Sequence, residues 1–482
     1  MLTRYRETIE KTSGQIVLLS PPGAANPYFA NFGWMAPDTS TAATPADALW
    51  QADGEILSPG RPVTLSWENG RGLRFERVYE IDEYYMFTVT QRLVNEGRTA
   101  VTLSPFGLIS RTGTPEVSPF WMLHEGPVGV LNGTLEEIEY DDLQEKGLIQ
   151  NETTGGWIGI KDQYWMVALV PDQGKALNTS FHHTARDGTD KYQADYSSAG
   201  IAVSPGATAE VTNHLFAGAK EVQILERYRD ELGIKLFHMA IDFTIIYFLT
   251  IPMHKALLFF YGLLGNYGLA IMVVTVIIKL LFFPLANKSY RSMAKMRKLQ
   301  PEMLDLRERF KDDKQRLQKE MMALYKREGA NPMSGCLPIV IQIPVFIALY
   351  VVLFVTIDMR HAPFFAWIQD LSAPDPTSIL NGFGLLPWTV PPLGPLDLLN
   401  LGIWPIVMGL SMFLQQRLNP QPPDPIQAKI FLFLPLMFMF ILAQFPSGLV
   451  IYWTWNNLLS ILQQYVIMRR VGMPVGRRAG TT

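Results

Sequence analysis

The chain has 482 residues, 48% of them hydrophobic, and a formal net charge of −3, and this length excludes a single ordinary domain. Residues 1–230 carry 18 Lys and Arg against 30 Asp and Glu, whereas residues 231–482 carry 23 against 14, so the two parts have charges of −12 and +9. The single cysteine, Cys336, excludes a framework of internal disulfides.

Strand patterns dominate residues 1–218. The first 30 residues contain no basic start followed by an apolar run of about seven residues, so no export signal is visible. In YEIDEYYMFTVTQRLVNEG, alternation places Tyr85, Phe87, Val89, Gln91 and Leu93 on one face, and a turn follows at residues 95–97. Similar runs recur up to residue 218, which predicts a large antiparallel β-sandwich. A closing helix is predicted at AKEVQILERYRDELG, where Ile224, Leu225, Tyr228 and Leu232 share a face.

The composition changes after residue 240. About 20 mainly apolar residues cross a bilayer, and five segments meet this rule: residues 266–284, 336–357, 401–418, 428–445 and 449–468. They predict a five-span α-helical core at residues 266–470, followed by a short basic tail at residues 471–482.

A charged segment at residues 286–330 separates the first two predicted spans. The stretch 286–332 has 13 Lys and Arg and 7 Asp and Glu. Its apolar residues step by three or four, which predicts a two-helix hairpin outside the membrane: Met293, Met296, Leu299, Met303, Leu306 and Phe310, then Leu317, Met321 and Leu324.

Basic residues in the short loops give the orientation. The hairpin, the link around Arg417 and Lys429, and the tail fall on one side, which we expect to be cytoplasmic. Residues 241–262 are nearly long enough to span, but Asp242, Pro252 and the His254-Lys255 pair divide them. We interpret residues 219–265 as the closing helix followed by an amphipathic helix in the membrane interface, which leaves the sandwich outside.

Lys279 is the one cation inside the first predicted span, in VTVIIKLLFF. It lies five residues before Pro284, so its side chain could snorkel to the headgroups. Alternatively it points into a wet cavity among the helices, where ionisable groups in membranes usually lie. The sequence leaves both interpretations open.

Polar residues in the other predicted spans favour a hydrophilic cavity that opens inward. Thr275 lies one turn before Lys279, and Gln342 interrupts the second span. Further amides occur in the third and fifth spans at Gln415, Gln416, Asn456, Asn457, Gln463 and Gln464. Each alone is commonly a link between helices. The five spans contain no Asp or Glu, whereas proton and ion relays normally need carboxylates, so a transporter is disfavoured.

No enzyme signature is present. The chain lacks a phosphate-binding GxxxxGK[ST] loop, an HExxH zinc pair and a GxSxG elbow. His182 and His183 lack a convincing ligand set, so we interpret them as a surface pair. The hairpin mixes acids with its bases and lacks stacking aromatic residues, which disfavours nucleic-acid recognition. We therefore predict no enzymatic activity, no cofactor and no metal.

Several motifs together resemble the YidC membrane protein insertases of Gram-negative bacteria. They are the run from KMRKLQPEM to GANPMSGCLPIVIQIPVFIALY, then APFFAWIQDLSAPDP, FPSGLVIYW and NNLLSILQQ. The similarity covers roughly residues 215–470, and the sandwich resembles the large periplasmic domain of that family. The resemblance implies a five-span core whose groove opens to the cytoplasm and the lipid. It also implies a further span before residue 1.

The resemblance also implies a substrate groove. Family members place a positive residue there, commonly Arg, and Lys279 occupies that position. Thr275, Gln342, Trp453 and Asn457 match positions on the neighbouring groove walls. Arg and Lys are not equivalent for bidentate contacts, so the match implies a positive, hydrating site.

The expected function is insertion and chaperoning of nascent membrane proteins in the inner membrane. The expected partners are those clients, the lipid bilayer, Sec translocon components, and a ribosome or targeting factors at the hairpin. Two alternatives stay open: a small-molecule transporter, and an envelope assembly factor whose sandwich binds glycans.

Overall fold

The computed structural model describes residues 2–36, 43–45, 47–117, 123–186, 188–243, 246–329, 337–388, 390–391, 394, 399–419 and 425–471. Most of the NPMSGCLP motif, with Cys336, and the tail from residue 472 lie outside these ranges. The chain divides into two units. The first contains Met1–Asp242 and Val355–Ile357, and the second contains Phe243–Phe354 and Asp358–Thr482.

Seventeen described strands form the body of the first unit. They are β1 (Leu2–Arg6), β2 (Gln15–Ile16), β3 (Tyr28–Met35), β4 (Gln51–Ala52), β5 (Val63–Glu68), β6 (Leu73–Ile81), β7 (Met86–Asn95), β8 (Val101–Thr112), β9 (Gly126–Leu131), β10 (Thr134–Glu137), β11 (Leu148–Thr154), β12 (Trp157–Lys161), β13 (Trp165–Val170), β14 (Ala176–Arg186), β15 (Thr189–Ser198), β16 (Ile201–Val203) and β17 (Thr208–Ala219). Two helices, α1 (Tyr140–Lys146) and α2 (Val222–Glu231), complete it.

Two large antiparallel sheets form a sandwich. One has the order β10-β9-β12-β13-β17-β7-β6-β5-β4, and the other has the order β11-β14-β15-β8-β16 with β3 also paired to β8. Side chains from both sheets meet in one core, for example Val89 and Ile160 with Phe181 and Tyr192, and such burial drives the association of the sheets. The prediction of a β-rich domain followed by a helical part is confirmed.

The alternation predicted for β7 is present. Val89, Gln91 and Leu93 are buried, while the intervening residues are half-buried. Gln91 is polar but fully buried, and its Nε2 donates to the carbonyl of Phe106 over 3.4 Å. Asn95 closes the strand, since its Oδ1 accepts from the N–H of Gly97 over 3.0 Å. The turn that follows is thus fixed by a side chain, as is common for Asn.

Helix α2 packs against the sandwich through the face predicted from its sequence. Ile224, Leu225 and Tyr228 are buried, whereas Leu232 lies just beyond the helix and is exposed. The Tyr228 hydroxyl donates to Asp82. Its ring lies in an aromatic cluster that includes Phe216 and Phe237. The apolar period of 3.6 residues therefore identified the packing face correctly.

Four charged side chains from four segments of the first unit form a cluster. Lys161, at the end of β12, is fully buried and donates to Asp242 over 2.5 Å and to Glu137 over 2.6 Å. Lys220, just after β17, is also buried, and its Nζ lies 3.7 Å from the Oδ2 of Asp242. Among the described residues neither of these two atoms has a hydrogen-bond partner. Lys161 is therefore well paired, whereas Lys220 is not.

The different pairing of these groups shifts their pKa values. Burial lowers the pKa of Lys220 to about 8, because the ammonium loses hydration that Asp242 only partly replaces. Burial works to raise the pKa of Asp242, but the ammonium groups of Lys161 and Lys220 hold it below its usual value. The cluster is thus built around one carboxylate that both lysines share.

We expect the sandwich to become more stable between about pH 8 and 10.5. The unfolded chain still protonates Lys220 in this window, since the ordinary pKa is 10.5, whereas the folded chain has released the proton. Because the unfolded state binds more protons than the folded state in this window, rising pH destabilises the unfolded state more, and the free energy of unfolding increases. Urea titrations followed by pulse proteolysis at pH 7.5 and 10 measure this change. Lys220→Met should remove the increment, and an unchanged increment in that variant would contradict the assignment.

The second unit is helical. Its described helices are α3 (Tyr247–Leu264), α4 (Tyr267–Leu281), α5 (Phe283–Lys298), α6 (Gln300–Arg309), α7 (Lys314–Arg327), α8 (Leu337–Val355), α9 (Ile403–Leu418), α10 (Pro425–Ile441) and α11 (Ser447–Arg470). Helices α3, α4, α8 and α11 share a core, to which Leu257, Ile271, Leu349 and Ile451 contribute. The five predicted spans overlap α4, α8, α9, α10 and α11, one helix each.

The lengths and composition of these helices differ from those expected of five simple spans. Among the described residues one helix, α3, is long and apolar enough to cross a membrane, judged by its length and composition alone. A second would be the pair of α4 and the continuous stretch through α5 and α6, which is bent by 66°. Helices α4, α9 and α10 have only 15, 16 and 17 residues. Helix α11 has 24 residues, but its amides lower its mean hydropathy.

The FPSG motif marks the start of α11. Pro446 precedes the first turn, where a missing N–H costs nothing. The hydroxyl of Ser447 donates to the carbonyl of Ala373 over 2.8 Å, and the N–H of Gly448 donates to Leu371 over 2.9 Å. A Cβ on Gly448 would lie only 3.0 Å from the side chain of Leu353. The motif thus fixes the beginning of the helix that carries the buried amides of Asn456, Asn457 and Gln464.

Apolar residues of the charged segment pack in two places. Leu299 and Met303 pack against Leu324 and Tyr325, which joins α6 to α7. Met293 and Tyr290 on α5 instead pack against Ile467 on α11. The predicted first arm is therefore divided at Leu299 into α5 and α6.

Candidate functional site

Lys279 lies in the last turn of α4. The helix begins at Asn266, whose Oδ1 accepts from the N–H of Leu269 over 3.0 Å. It ends at Phe282, because Pro284 lacks a backbone donor and restricts the residue before it. Helix α5 then leaves in a different direction. Lys279 therefore lies near the end of α4, where its side chain contacts both α8 and α11.

The ammonium of Lys279 is held by uncharged partners. It donates to the Oγ of Ser460 on α11 over 2.7 Å and to the Oε1 of Gln342 on α8 over 3.3 Å. The Ser460 hydroxyl in turn donates a hydrogen bond to the carbonyl of Asn456 over 2.8 Å. Lys279 therefore joins three helices, and none of its partners in the described part of the chain carries a charge.

Tyr452 determines the orientation of the Gln342 amide. The Nε2 of Gln342 donates to the hydroxyl of Tyr452, which is 2% exposed, so Oε1 is the atom left to face Lys279. A continuous chain of hydrogen bonds thus runs from Tyr452 through Gln342 and Lys279 to Ser460. We name these four residues the Lys279 network.

A small cavity opens beside this network. It has a volume of about 40 Å³ and is lined by polar groups from Lys279, Gln342, Tyr290 and Gln463, with apolar side chains from α4, α5 and α8. A water needs ~10–15 Å³ and two or more polar partners, so the cavity has room for about three waters. None of the described lining residues is Asp or Glu. The site therefore places one cation and a few polar groups in a largely apolar lining.

The five site residues predicted from the sequence are only partly brought together. Lys279 and Gln342 are in contact, as described above. Thr275 is buried on the same helix, but its hydroxyl donates to the carbonyl of Ile271 over 2.6 Å. The Nδ2 of Asn457 donates to Ser411 on α9 over 3.0 Å, which links two helices. The ring of Trp453 packs on Phe346, with the centroids 4.6 Å apart, and on Phe438.

Ser460 and Tyr452 were not among the residues predicted from the sequence. A lone Ser inside a helix usually bonds to its own backbone, and Tyr452 falls in an apolar run, so neither residue type is informative by itself. For Ser460 the available signal was spacing on α11. Trp453, Asn457, Ser460 and Gln464 recur at intervals of four, three and four residues, which places them on one helix face.

Comparison with known proteins identifies the family. The YidC periplasmic domain family matches residues 1–256, and the 60Kd inner membrane protein family matches residues 259–473. The membrane protein insertase YidC of Methylorubrum extorquens is 51% identical over 98% of this chain and 78% of the relative. That of Methylobacterium nodulans is 52% identical over 98% of this chain and 79% of the relative.

A solved structure is also similar. A crystal structure of an active YidC insertase with its first transmembrane domain resolved matches with a TM-score of 0.39 and 19% identity, over 90% of this chain and 82% of that chain. The two family matches show that this chain combines a periplasmic domain with an inner-membrane domain. With about half of its residues identical to those of the relatives over nearly its whole length, the chain belongs to the family of the membrane protein insertase YidC.

Proposed function

We propose that this chain is a membrane protein insertase that moves hydrophobic segments of newly made proteins from the cytoplasm into the inner membrane. The observation that carries the proposal is the Lys279 network, in which a cation between three apolar helices is solvated by neutral groups beside a small cavity. Ionisable groups in such surroundings generally mark a path for a polar substrate. The relatives named as insertases support the same function.

The chemistry required is partitioning, with no bond made or broken. A client must carry a polar tail across a medium in which each unsatisfied backbone group costs several kcal/mol. A wet, positive half-channel shortens that barrier, and apolar walls on α8 and α10 let the client's hydrophobic segment move into lipid. For acidic tails the membrane potential adds about 2.3 kcal/mol per charge per 100 mV.

The geometry of Lys279 suits the capture of an acidic group. An ammonium has three donors, and two of them go to Ser460 and Gln342. One donor thus remains within the described part of the chain for a carboxylate of the client. Such charge-assisted hydrogen bonds are about twice as strong as neutral ones. Thr275, Trp453 and Asn457 complete the groove walls in this proposal.

We assign five spans to the helices α4, α8, α9, α10 and α11, with α3 in the outer interface. Pro252 lies inside α3. His254 on α3 is 1% exposed, and its Nε2 lies 2.9 Å from the Oδ2 of Asp358, just after α8. Pro252 removes a backbone donor from the middle of α3, and the pair of His254 with Asp358 ties α3 to the end of α8. These two features support a helix that packs against its neighbours. This assignment leaves the sandwich periplasmic and the segment α5–α7 cytoplasmic.

The charged segment α5–α7 is the proposed reception surface for a ribosome or a targeting factor. Its exposed ion pairs, such as Arg309 with Asp305 and Arg327 with Glu302, maintain a solvated surface of mixed charge. Sec translocon components are the proposed partners for larger clients. Bases and acids are mixed in α6 and α7, whereas α5 carries bases alone. The mixed charge of α6 and α7 suits a protein partner better than nucleic acid.

The function is tested by insertion of a single-span client with an acidic external tail. Membranes depleted of their own insertase would receive this chain, and protease protection would measure the translocated tail. Restored protection is expected. If this chain leaves the tail unprotected while a relative restores it, the proposed function is wrong.

We expect Tyr452→Phe to weaken insertion of the acidic-tailed client by about three- to tenfold. The variant keeps the ring but removes the acceptor that orients Gln342, so the amide can turn its NH₂ group toward Lys279. The loss of one hydrogen bond of about 1 kcal/mol sets this magnitude. Tyr465→Phe, on an exposed part of α11, is the matched control and should have no effect. Equal activity of both variants would contradict the orienting role.

A further inference from the structure

A turn of apolar residues at 378–388, here named the apolar turn, lies between α8 and α9 and takes no part in the Lys279 network. Residues 376–396 contain no Asp, Glu, Lys, Arg or His. Within the turn Leu385 is 88% exposed, and its apolar neighbours are exposed as well. These neighbours are Ile379, Leu380, Phe383, Leu386 and Trp388. A contiguous exposed apolar patch of this kind marks a surface for a membrane or for another protein.

The backbone of the apolar turn is hydrogen-bonded close to home. A single turn of 3-10 helix begins it at Ile379–Asn381. The backbone N–H groups of residues 379, 380 and 382–386 donate either within the turn or to the carbonyl of Leu401. The indole Nε1 of Trp388 donates to the carbonyl of Leu380 over 3.2 Å. Since unpaired backbone groups are costly in hydrocarbon, a turn paired in this way can enter an apolar medium at little cost.

Two side chains fasten the base of the apolar turn to the start of α9. The Oδ2 of Asp375 accepts from the N–H of Trp404 over 2.8 Å. The Oγ1 of Thr377 accepts from the N–H of Ile403 over 2.9 Å. Both bonds satisfy N–H groups that the first turn of a helix leaves without a partner. The apolar turn therefore keeps a fixed position relative to the start of α9.

Helix α9 is too short to cross the hydrocarbon core of a bilayer by itself. Its 16 residues extend over about 24 Å at 1.5 Å each, whereas the core is about 30 Å thick. Arg417 in the last turn holds that end at the cytoplasmic headgroups, so the shortfall lies at the start of the helix. The base of the apolar turn is thus placed at the outer boundary of the hydrocarbon.

We propose that the apolar turn inserts into the outer leaflet of the membrane and contacts lipid acyl chains. Trp388 suits this depth, because its ring is amphipathic and Trp is enriched at membrane interfaces. A protein partner would need polar groups around the apolar centre, but the Asn381 side chain is used inside the turn, where its Oδ1 accepts from the N–H of Gly384 over 2.9 Å. The inference rests on the assignment of α9 as a span and does not depend on the passage of clients at Lys279.

The test is the depth of a fluorescent label at position 385 of the full chain in vesicles of phosphatidylethanolamine and phosphatidylglycerol. Cys336→Ser removes the single native thiol, and Leu385→Cys then carries the environment-sensitive label NBD. A nitroxide on the lipid acyl chain near the headgroup should quench this label at least about twofold, because apolar groups in the interface lie about 5–10 Å deep. Leu385 is so exposed that the label should not disturb folding.

Two labelled positions serve as controls. Leu49→Cys, at an 89% exposed leucine of the sandwich, matches Leu385 in residue type and exposure and should not be quenched. Leu410→Cys, at a 58% exposed leucine of α9, should be quenched by a nitroxide placed deeper in the acyl chain.

The controls separate failure of this inference from failure of the span assignment. If position 410 is quenched but position 385 is quenched no more than position 49, the apolar turn does not enter the membrane and α9 remains a span. If neither position 410 nor position 385 is quenched, the span assignment is wrong and the inference falls with it. A shift of the emission at position 385 to shorter wavelength without quenching by lipid would show that protein covers the turn, which would overturn the choice of lipid.

Discussion

Lys279→Ala should reduce insertion of a client with an acidic external tail by roughly 10- to 100-fold. Hydrogen bonds to charged groups are worth about 1.5–3 kcal/mol, and each 1.4 kcal/mol is about a factor of ten in rate. A client whose tail carries Asn and Gln in place of Asp and Glu should lose much less, since the cavity and its amides remain. The measurement is the initial rate of tail protection in depleted membranes for both clients.

Two further variants separate charge from packing at this position. Lys279→Arg keeps the charge and should retain most of the insertion, although its planar group fits Ser460 and Gln342 differently. Leu280→Ala, at the 65% exposed neighbour on α4, should behave as the parent. An equal loss of both clients in Lys279→Ala would mean that the residue supports only the helix packing or the hydration of the groove.

Asp242→Asn should destabilise the sandwich by roughly 3 kcal/mol. The substitution removes the carboxylate that Lys161 and Lys220 share. Lys161 then keeps its ion pair with the partly exposed Glu137, and the ammonium of Lys220 loses its nearest carboxylate. Breaking a buried ion pair by removing one partner generally costs about 3–5 kcal/mol. Hydrogen exchange of the backbone amides in β12 and β17, measured in the full chain, reports the free energy of opening.

Lys220→Met gives the opposite expectation at the same cluster. The Nζ of Lys220 has no hydrogen-bond partner within the described residues and its pKa is lowered, so its charge costs stability at neutral pH. A methionine of similar length should therefore leave the free energy of opening unchanged or raise it. If Lys220→Met and Asp242→Asn lower it equally, the shared carboxylate is not what stabilises these strand ends.

The sequence was informative wherever a rule is local. The period of two identified β7, and the period of 3.6 identified the buried face of α2. One cation in an apolar run drew attention to Lys279, and one amide in another run drew attention to Gln342. In these cases the informative residues lie within a few positions of each other along the chain.

The sequence was less informative about pairings between distant segments. Lys279 and Ser460 are 181 residues apart, and Lys161 and Asp242 are 81 apart. Such contacts depend on the packing of whole helices and sheets, which no local pattern encodes. Asn457 illustrates the converse. The resemblance implied a groove-wall position for Asn457, and no local pattern predicted that its amide also links α11 to α9 through Ser411.

The most direct test of client passage through the groove at Lys279 is photocrosslinking between a residue that lines the cavity and a client halted during insertion. A photoreactive residue at Ile341, which lines the cavity without belonging to the Lys279 network, would be compared with one at Leu462, which is 58% exposed on α11. We predict crosslinks from position 341 to the polar tail of a ribosome-bound client, and few from position 462. Crosslinks from position 462 alone, or equally from both positions, would contradict passage of the client through the groove at Lys279.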